Sequence, residues 1–199
     1  MRGVGAAWAS LPHPTAHWAL PISIGFPGFC GGGYLELIVD AGKRLETRNK
    51  IPGNRPFIGA TDIYGNDITG FIGNDNISKD KNVLGVNYNG ASCIAFYHQY
   101  ECIFTDDVKR LHLIHHGDTY GILLFFTSVF AQLRIKYNYG YKFNERRMLR
   151  QKLMLPVTDS GEPDYGYMEQ YAKHMMIRKY WQYLSFLDAK YKTETVQGK

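Results

Sequence analysis

Val83-Leu-Gly-Val-Asn-Tyr-Asn-Gly-Ala-Ser-Cys-Ile-Ala-Phe-Tyr97 holds two short β-forming runs on either side of an Asn-Gly pair. Asn89 and Gly90 both tolerate positive φ, so the pair suits the turn of a hairpin whose arms are Val83–Asn87 and Ser92–Tyr97. An antiparallel pair at the middle of the chain sets the pattern for its surroundings. Upstream, Tyr34–Val39, Pro56–Ala60 and Ile68–Ile72 are similar short runs, and Tyr64-Gly-Asn-Asp67 supplies a turn between the last two. Downstream, Cys102–Thr105 and Val108–Ile114 continue the series.

After these strands the periodicity changes from two to about 3.6. Ile122, Phe126, Val129, Phe130 and Leu133 fall at helical spacing within Thr119–Tyr137, with Asp118 or Thr119 as cap. The apolar breadth of that segment predicts a helix buried against a sheet. Asn144–Arg150 suits one more helical turn, and Lys152–Val157 a last strand. Beyond Thr158-Asp-Ser-Gly-Glu-Pro163 a final helix starts with Asp164 as cap. Along it Ile177, Tyr180, Leu184, Leu187 and Tyr191 recur at alternating steps of three and four. Such a stripe fits packing on a partner helix, or docking on the helix's own domain. The predicted fold is α/β in the α+β sense: a mixed, largely antiparallel sheet with a buried helix, then a C-terminal helix with a heptad-like stripe.

With 199 residues, 45% of them hydrophobic and 15% aromatic, the chain can bury a core of its own. Residues 1–33 differ from the rest. They hold seven of the 21 glycines and four of the eight prolines, with Arg2 as their sole formal charge, and they read as irregular. The three cysteines include no C-x-x-C pair, which argues against a zinc ribbon or disulfide framework and fits a cytoplasmic setting. The apolar stretch Ile122–Leu133 is too short and too interrupted for a membrane span.

The net charge of +5 is concentrated in two places. Lys43–Arg55 carries five basic residues against Glu46, and Arg134–Lys152 carries seven against Glu145. The remainder of the chain is acidic. Clustered basic charge can mark a nucleic-acid surface or an ordinary solvated face. In the second cluster Lys136, Lys142, Arg146 and Arg147 interleave with Tyr137, Tyr139, Tyr141 and Phe143. Basic side chains there can neutralise phosphates, and tyrosines can bond phosphate or pack on sugar.

Several stretches occur in one characteristic order. They are Gly42-Lys-Arg44, Pro56-Phe-Ile-Gly-Ala-Thr61, Ile68-Thr-Gly-Phe-Ile72, Asn87-Tyr-Asn-Gly90, Ala95-Phe-Tyr97, Thr105-Asp-Asp-Val108, Lys136–Phe143 and Leu155-Pro-Val-Thr-Asp-Ser-Gly-Glu-Pro-Asp-Tyr165. From about Phe29 onward the chain resembles the target-recognition domain of type I restriction–modification specificity subunits. It is similar also to the recognition part of enzymes that fuse restriction and methylation. The resemblance implies a non-catalytic, sequence-specific DNA-binding module with no cofactor, directing a methyltransferase or endonuclease to its site. It implies residues 34–163 as the recognition domain and residues 164–193 as a dimerisation or partner-docking helix. One such domain with one helix is half of the usual subunit. The partners implied are double-stranded DNA, a methyltransferase subunit, a restriction or translocase subunit, and a second copy or second specificity domain through the helix.

The DNA-contacting candidates are Lys43, Arg44, Arg48, Thr61, Asn66, Asn87, Asn89, Lys136, Tyr139, Lys142, Arg146 and Arg147. Arginine can grip guanine O6 and N7, and asparagine can pair bidentately with adenine; each asparagine equally suits plain turn chemistry. Two other readings compete with this one: a stand-alone metal-dependent nuclease, and a truncated relic of a specificity subunit. The nuclease would lean on Asp188-Ala-Lys190, which ordinary helix-surface charge explains as well. His112, His115, His116 and Asp118 resemble a metal cluster, but strand alternation turns His115 away from His112, so a strand-end loop is expected. No methyltransferase base-gripping loop, dinucleotide fingerprint or phosphate loop occurs.

Overall fold

The computed structural model describes residues 17–23, 35–38, 44–63, 66–89, 93–114, 116–137 and 140–197. Among the described residues ten strands and three α-helices follow one another: β1 (His17–Ser23), β2 (Leu35–Ile38), β3 (Pro52–Ile63), β4 (Asn66–Ile72), β5 (Lys79–Asp80), β6 (Val83–Asn87), β7 (Ala95–His98), β8 (Cys102–Phe104), β9 (Val108–Leu113), α1 (Tyr120–Gln132), α2 (Glu145–Leu149), β10 (Lys152–Val157) and α3 (Tyr165–Gln197). The strands form three sheets, in the orders β2-β9-β6-β7, β4-β3-β8-β5 and β1-β10. Among these strands every pairing is antiparallel except β3 with β8, where Phe57 lies opposite Ile103. The mixed, largely antiparallel architecture with a buried helix is therefore present.

The hairpin at the centre forms with Val83 opposite His98 and Val86 opposite Ala95. Its second arm starts at Ala95 rather than Ser92, because Asn87 keeps the chain turning. The Asn87 amide donates to Ile94 and the Cys93 amide donates to the Asn87 carbonyl, with Cys93 at φ 60°. The connection is thus wider than a two-residue turn, and Gly90 lies outside the described residues. The β3–β4 hairpin is longer than the sequence patterning marks, since it absorbs Pro52–Arg55. Pro52 is accommodated where the register shifts before Arg55, and Pro56 lies opposite Phe71 in the regular part of the ladder.

α1 is capped by Thr119, whose Oγ1 accepts from the Ile122 amide, and it ends at Gln132, earlier than the predicted Tyr137. A single 3-10 turn, Leu133–Ile135, follows. Ile122, Phe126 and Phe130 are wholly buried and share one cluster with Leu84, Val86 and Leu111 from the first sheet and Leu153 and Leu155 from β10. A second cluster (Ile58, Val83, Cys102, Phe104, Val108) joins the two larger sheets.

The segment read as irregular contains β1, which pairs with β10 antiparallel, His17 opposite Val157 and Ser23 opposite Lys152. Proline does not forbid this strand, because the ladder shifts register between Trp18 and Pro21. α3 starts after Asp164, whose carboxylate accepts from the Tyr167 amide at 2.8 Å. Met168 and Ala172 are buried, and Gly121 of α1 lets the backbone at Glu169 approach closely enough that a Cβ there would stand 3.2 Å away.

Candidate nucleic-acid interface

The second basic cluster forms a short irregular segment between α1 and β10, nailed to the core by its apolar members. Tyr137, Phe143 and Met148 are buried, with the Tyr137 and Phe143 rings 4.5 Å apart. Gly140 at φ 93° turns the chain where an L side chain would be strained. Asn144 then caps α2, its Oδ1 accepting from the Arg147 amide at 3.0 Å. With the apolar residues turned inward, Lys142 and Arg146 stand on the surface and Arg147 is half-buried.

Three side chains stack here. The Tyr137 and Tyr141 rings are nearly parallel, 6° apart with centroids separated by 5.6 Å, and the Arg147 guanidinium lies 3.7 Å from the Tyr141 centroid. Arg147 also donates to the Lys142 carbonyl at 2.6 Å. At the segment's start Lys136 donates to Gln151 Oε1 at 3.0 Å, and the Tyr137 hydroxyl donates to the same oxygen at 2.8 Å. Cation–π contacts of this kind orient a guanidinium while leaving its N–H edges able to donate.

The segment is tied to the turn after β6. Lys142 Nζ donates to Asn89 Oδ1 at 2.6 Å, and Asn89 Nδ2 donates to Asp107 Oδ1 at 2.7 Å. Close by, Lys109 of β9 is buried, donates to Glu145 at 3.2 Å and lies 5.0 Å over the Tyr88 ring. Burial and the charges of Asp107, Asp106 and Glu145 raise the Tyr88 phenol above its ordinary value.

The predicted contact residues divide into groups. Lys136, Lys142, Arg146, Arg147 and Asn89 come together on this segment and its neighbouring turn. Arg134 joins them to the far end of β3 through Asp62, 3.7 Å away, one residue from Thr61. Asn66 begins β4 beside that end, exposed, its Oδ1 accepting from the Ile68 amide. Asn87 does not belong to any surface. It is completely buried and donates to the Thr61 carbonyl at 3.1 Å, so the expected base contact is replaced by a tie between sheets. Arg44 and Arg48 are exposed near the opposite end of β3, with Arg48 paired to Glu46 at 2.7 Å. The 12 residues of β3, on the order of 35 Å of path, run from Pro52 to Ile63, so those two arginines belong to another region of the surface. Lys43 and Tyr139 lie outside the described residues.

Lys109, Asp107 and Glu145 take part here although none was among the predicted contact residues. Nothing in local spacing marks Lys109, because β9 is buried on both faces apart from His112 and gives no alternation to read.

Of the predicted histidine cluster, His112 and Asp118 enter a structural ion group, His116 bonds the Gly117 carbonyl instead, and His115 lies outside the described residues. His112 Nδ1 is 2.5 Å from Asp118 and its Nε2 is 3.2 Å from Asp80, which also takes Arg110 at 3.4 Å. Burial opposes charge on the ring, but the hydrogen bonds to Asp118 and Asp80 outweigh it and push His112 up to about 9. Burial likewise opposes ionisation of Asp80, yet the His112 and Lys81 bonds hold its carboxyl below the usual range. Among the described residues no group of three or more His, Cys, Asp or Glu is placed to hold a metal ion. Asp188, the nuclease candidate, is paired with Lys192 at 2.6 Å along the helix surface.

On α3, Ile177, Tyr180, Leu184 and Tyr191 are exposed and Leu187 is half-buried. Trp181, Tyr183 and Phe186 are exposed too. A groove of about 540 Å³ runs between α1 and α3, lined by Tyr120, Leu124, Phe125, Tyr171, Met175 and Tyr183 among others. No described helix is long and apolar enough to cross a membrane.

Comparison with known proteins gives a consistent result. A curated relative, the specificity subunit S.BcgI of a type II restriction enzyme from Heyndrickxia coagulans, is 50% identical over 137 residues. That alignment covers 69% of this chain and 40% of the relative, so the chain spans well under half of the relative's length. Two solved structures share the fold at low identity. A chain from a type I R-M system, described for its complex assembly and conformational transition, superposes with a TM-score of 0.60 at 12% identity, over 92% of this chain and 45% of that one. The HsdS subunit from Thermoanaerobacter tengcongensis gives 0.54 at 8% identity, over 84% and 40%. Residues 35–180 match the family model of the type I restriction modification DNA specificity domain, and the chain belongs to that family.

Proposed function

We propose that this chain is the target-recognition half of a DNA specificity subunit, reading one half of a split duplex site for a methyltransferase or endonuclease carried by other polypeptides. The observation that carries this reading is the segment from Lys136 to Arg147. Tyr137, Phe143 and Met148 are buried, while Lys142 and Arg146 are exposed and the half-buried Arg147 stacks on the exposed Tyr141. Phosphates would be met by Lys142, Arg146 and Lys136, and base edges by Arg147. Asn66 and Thr61 flank the same region; Arg44 and Arg48 would reach DNA only where the duplex passes the other end of β3.

The module itself supplies no chemistry, and its setting is the cytoplasm. Residues 34–163 act as the reader, and residues 164–193 present the α3 stripe of Ile177, Tyr180, Leu184, Leu187 and Tyr191 to a methyltransferase subunit or a second specificity half. That helix exposes more large apolar surface than a helix at rest in water ordinarily keeps.

The test is selection from a randomised duplex library, with the chain alone and with the methyltransferase encoded beside it. An enriched half-site of ~3–5 base pairs is expected, on the premise that one domain reads one half. Each phosphate contact contributes about 0.9 to the slope of log affinity against log salt. Replacing Lys142 and Arg146 together with Ala should therefore flatten the slope by nearly 2, and an unaltered slope refutes their assignment.

A further inference from the structure

We infer that Asn89 serves the DNA-reading segment as a positioning residue, acting with Asp107 to fix where Lys142 stands, rather than as a reader of adenine. The inference rests on the proposed reading of Lys136–Arg147 as the contact segment. Its physical basis is the three-member relay Lys142–Asn89–Asp107, whose links are 2.6 and 2.7 Å. Bidentate pairing with adenine uses the carboxamide's oxygen and nitrogen together. Here the oxygen already accepts from an ammonium and the nitrogen already donates to a carboxylate.

The relay spans parts of the chain that sequence keeps far apart. Asn89 sits in the turn after β6, Asp107 immediately before β9, and Lys142 in the contact segment. Backbone bonds steady both near ends, since the Tyr88 amide donates to the Asp107 carbonyl and the Asn87 amide to Ile94. Arg147 grips the Lys142 backbone carbonyl, so the Lys142 backbone is held by Arg147 and the tip of its side chain by Asn89. A lysine carries four side-chain torsions, and left alone it would meet phosphates in many poses. Held at both ends it meets them in one, which lowers the ordering cost of binding and couples phosphate contact to register. Asp107 also sets a negative charge behind the amide, so that phosphates out of register are repelled.

The test uses the full chain carrying Asn89→Ala or Asp107→Ala. The second variant leaves the turn residue untouched and guards against a folding artefact at Asn89. The first readout needs no DNA: the acetylation rate of the Lys142 amine, followed by mass spectrometry with Lys173 as internal reference. Both variants should raise it severalfold, and an unchanged rate in both overturns the relay. The second readout repeats the library selection. A positioning role degrades several base pairs of the motif together in both variants and raises affinity for scrambled duplex. Relaxation at a single base pair in Asn89→Ala, with Asp107→Ala like wild type, makes Asn89 a base reader and overturns the inference. If wild type enriches no motif while acetylation responds as stated, the DNA reading fails and the relay stands as a feature of the free protein only.

Discussion

Raising the pH should unfasten the ion group around His112, and the effect can be sized. The ring is pushed from 6.5 to about 9 by Asp118 and Asp80 despite its burial. A folded value above the unfolded one means the stabilisation is complete below pH 6.5 and is lost progressively as pH rises through about 9. The full shift is worth roughly 3 kcal/mol at ~1.4 kcal/mol per unit. The side chain is 21% exposed, so solvent screening takes part of that, and about 2 kcal/mol should disappear between pH 6 and 8.5. At typical urea m-values this lowers the unfolding midpoint by roughly 1 M, readable by circular dichroism. Two buried thiols add a similar trend at higher pH. Burial pushes Cys93 up to about 12 and Cys102 higher still, whereas in the unfolded chain both ionise near 9. Comparison with His112→Gln separates the effects, because the variant keeps the thiols and loses the ring's contribution. Equal slopes in wild type and His112→Gln between pH 6 and 8.5 would refute the assignment of charge to this ring.

Three other outcomes are open to simple measurement. Phe130→Ala removes a wholly buried ring from the α1 core and should cost ~3–5 kcal/mol, seen as a loss of thermal midpoint or of soluble chain. Gly85→Ala would set a Cβ 2.9 Å from a Phe104 ring carbon and 3.0 Å from His98 Nε2, both packed rings with little room to yield, so about 1–3 kcal/mol should be lost in a urea melt. Leu184→Glu, on the exposed stripe of α3, should leave the melt of the isolated chain within ~0.5 kcal/mol while abolishing co-purification with the methyltransferase.

Most strands and all three helices could be read from the chain, because turn residues and a change of periodicity mark them. Val83–Asn87 and Lys152–Val157 fall where β-forming residues and flanking turns put them, and Asp164 and Asn144 cap as their chemistry predicts. What escaped depends on distant partners. Lys79–Asp80 is a strand only because β8 lies beside it, and His17–Ser23 only because β10 does. The segment proposed to contact DNA stands out in the sequence as an interleaving of basic and aromatic residues. The division of labour around it does not: Asn87 and Asn89 are two residues apart with equal turn credentials, yet one is sealed between sheets and the other faces Lys142. Strand pairing decides that, and no local spacing encodes it.

The pairing of β1 with β10 has a consequence for synthesis. β1 must wait for β10, far later in the chain, before it has a ladder partner. During translation, β3–β4 and β6–β7 can form from neighbouring residues as they emerge, whereas β1 stays unpaired until Lys152–Val157 has left the ribosome. Long-range closure of this kind slows folding, and an unpaired edge is a site for wrong association in the meantime. Growth of the nascent chain past Val157 would thus be the event that both closes this ladder and frees α3 to start.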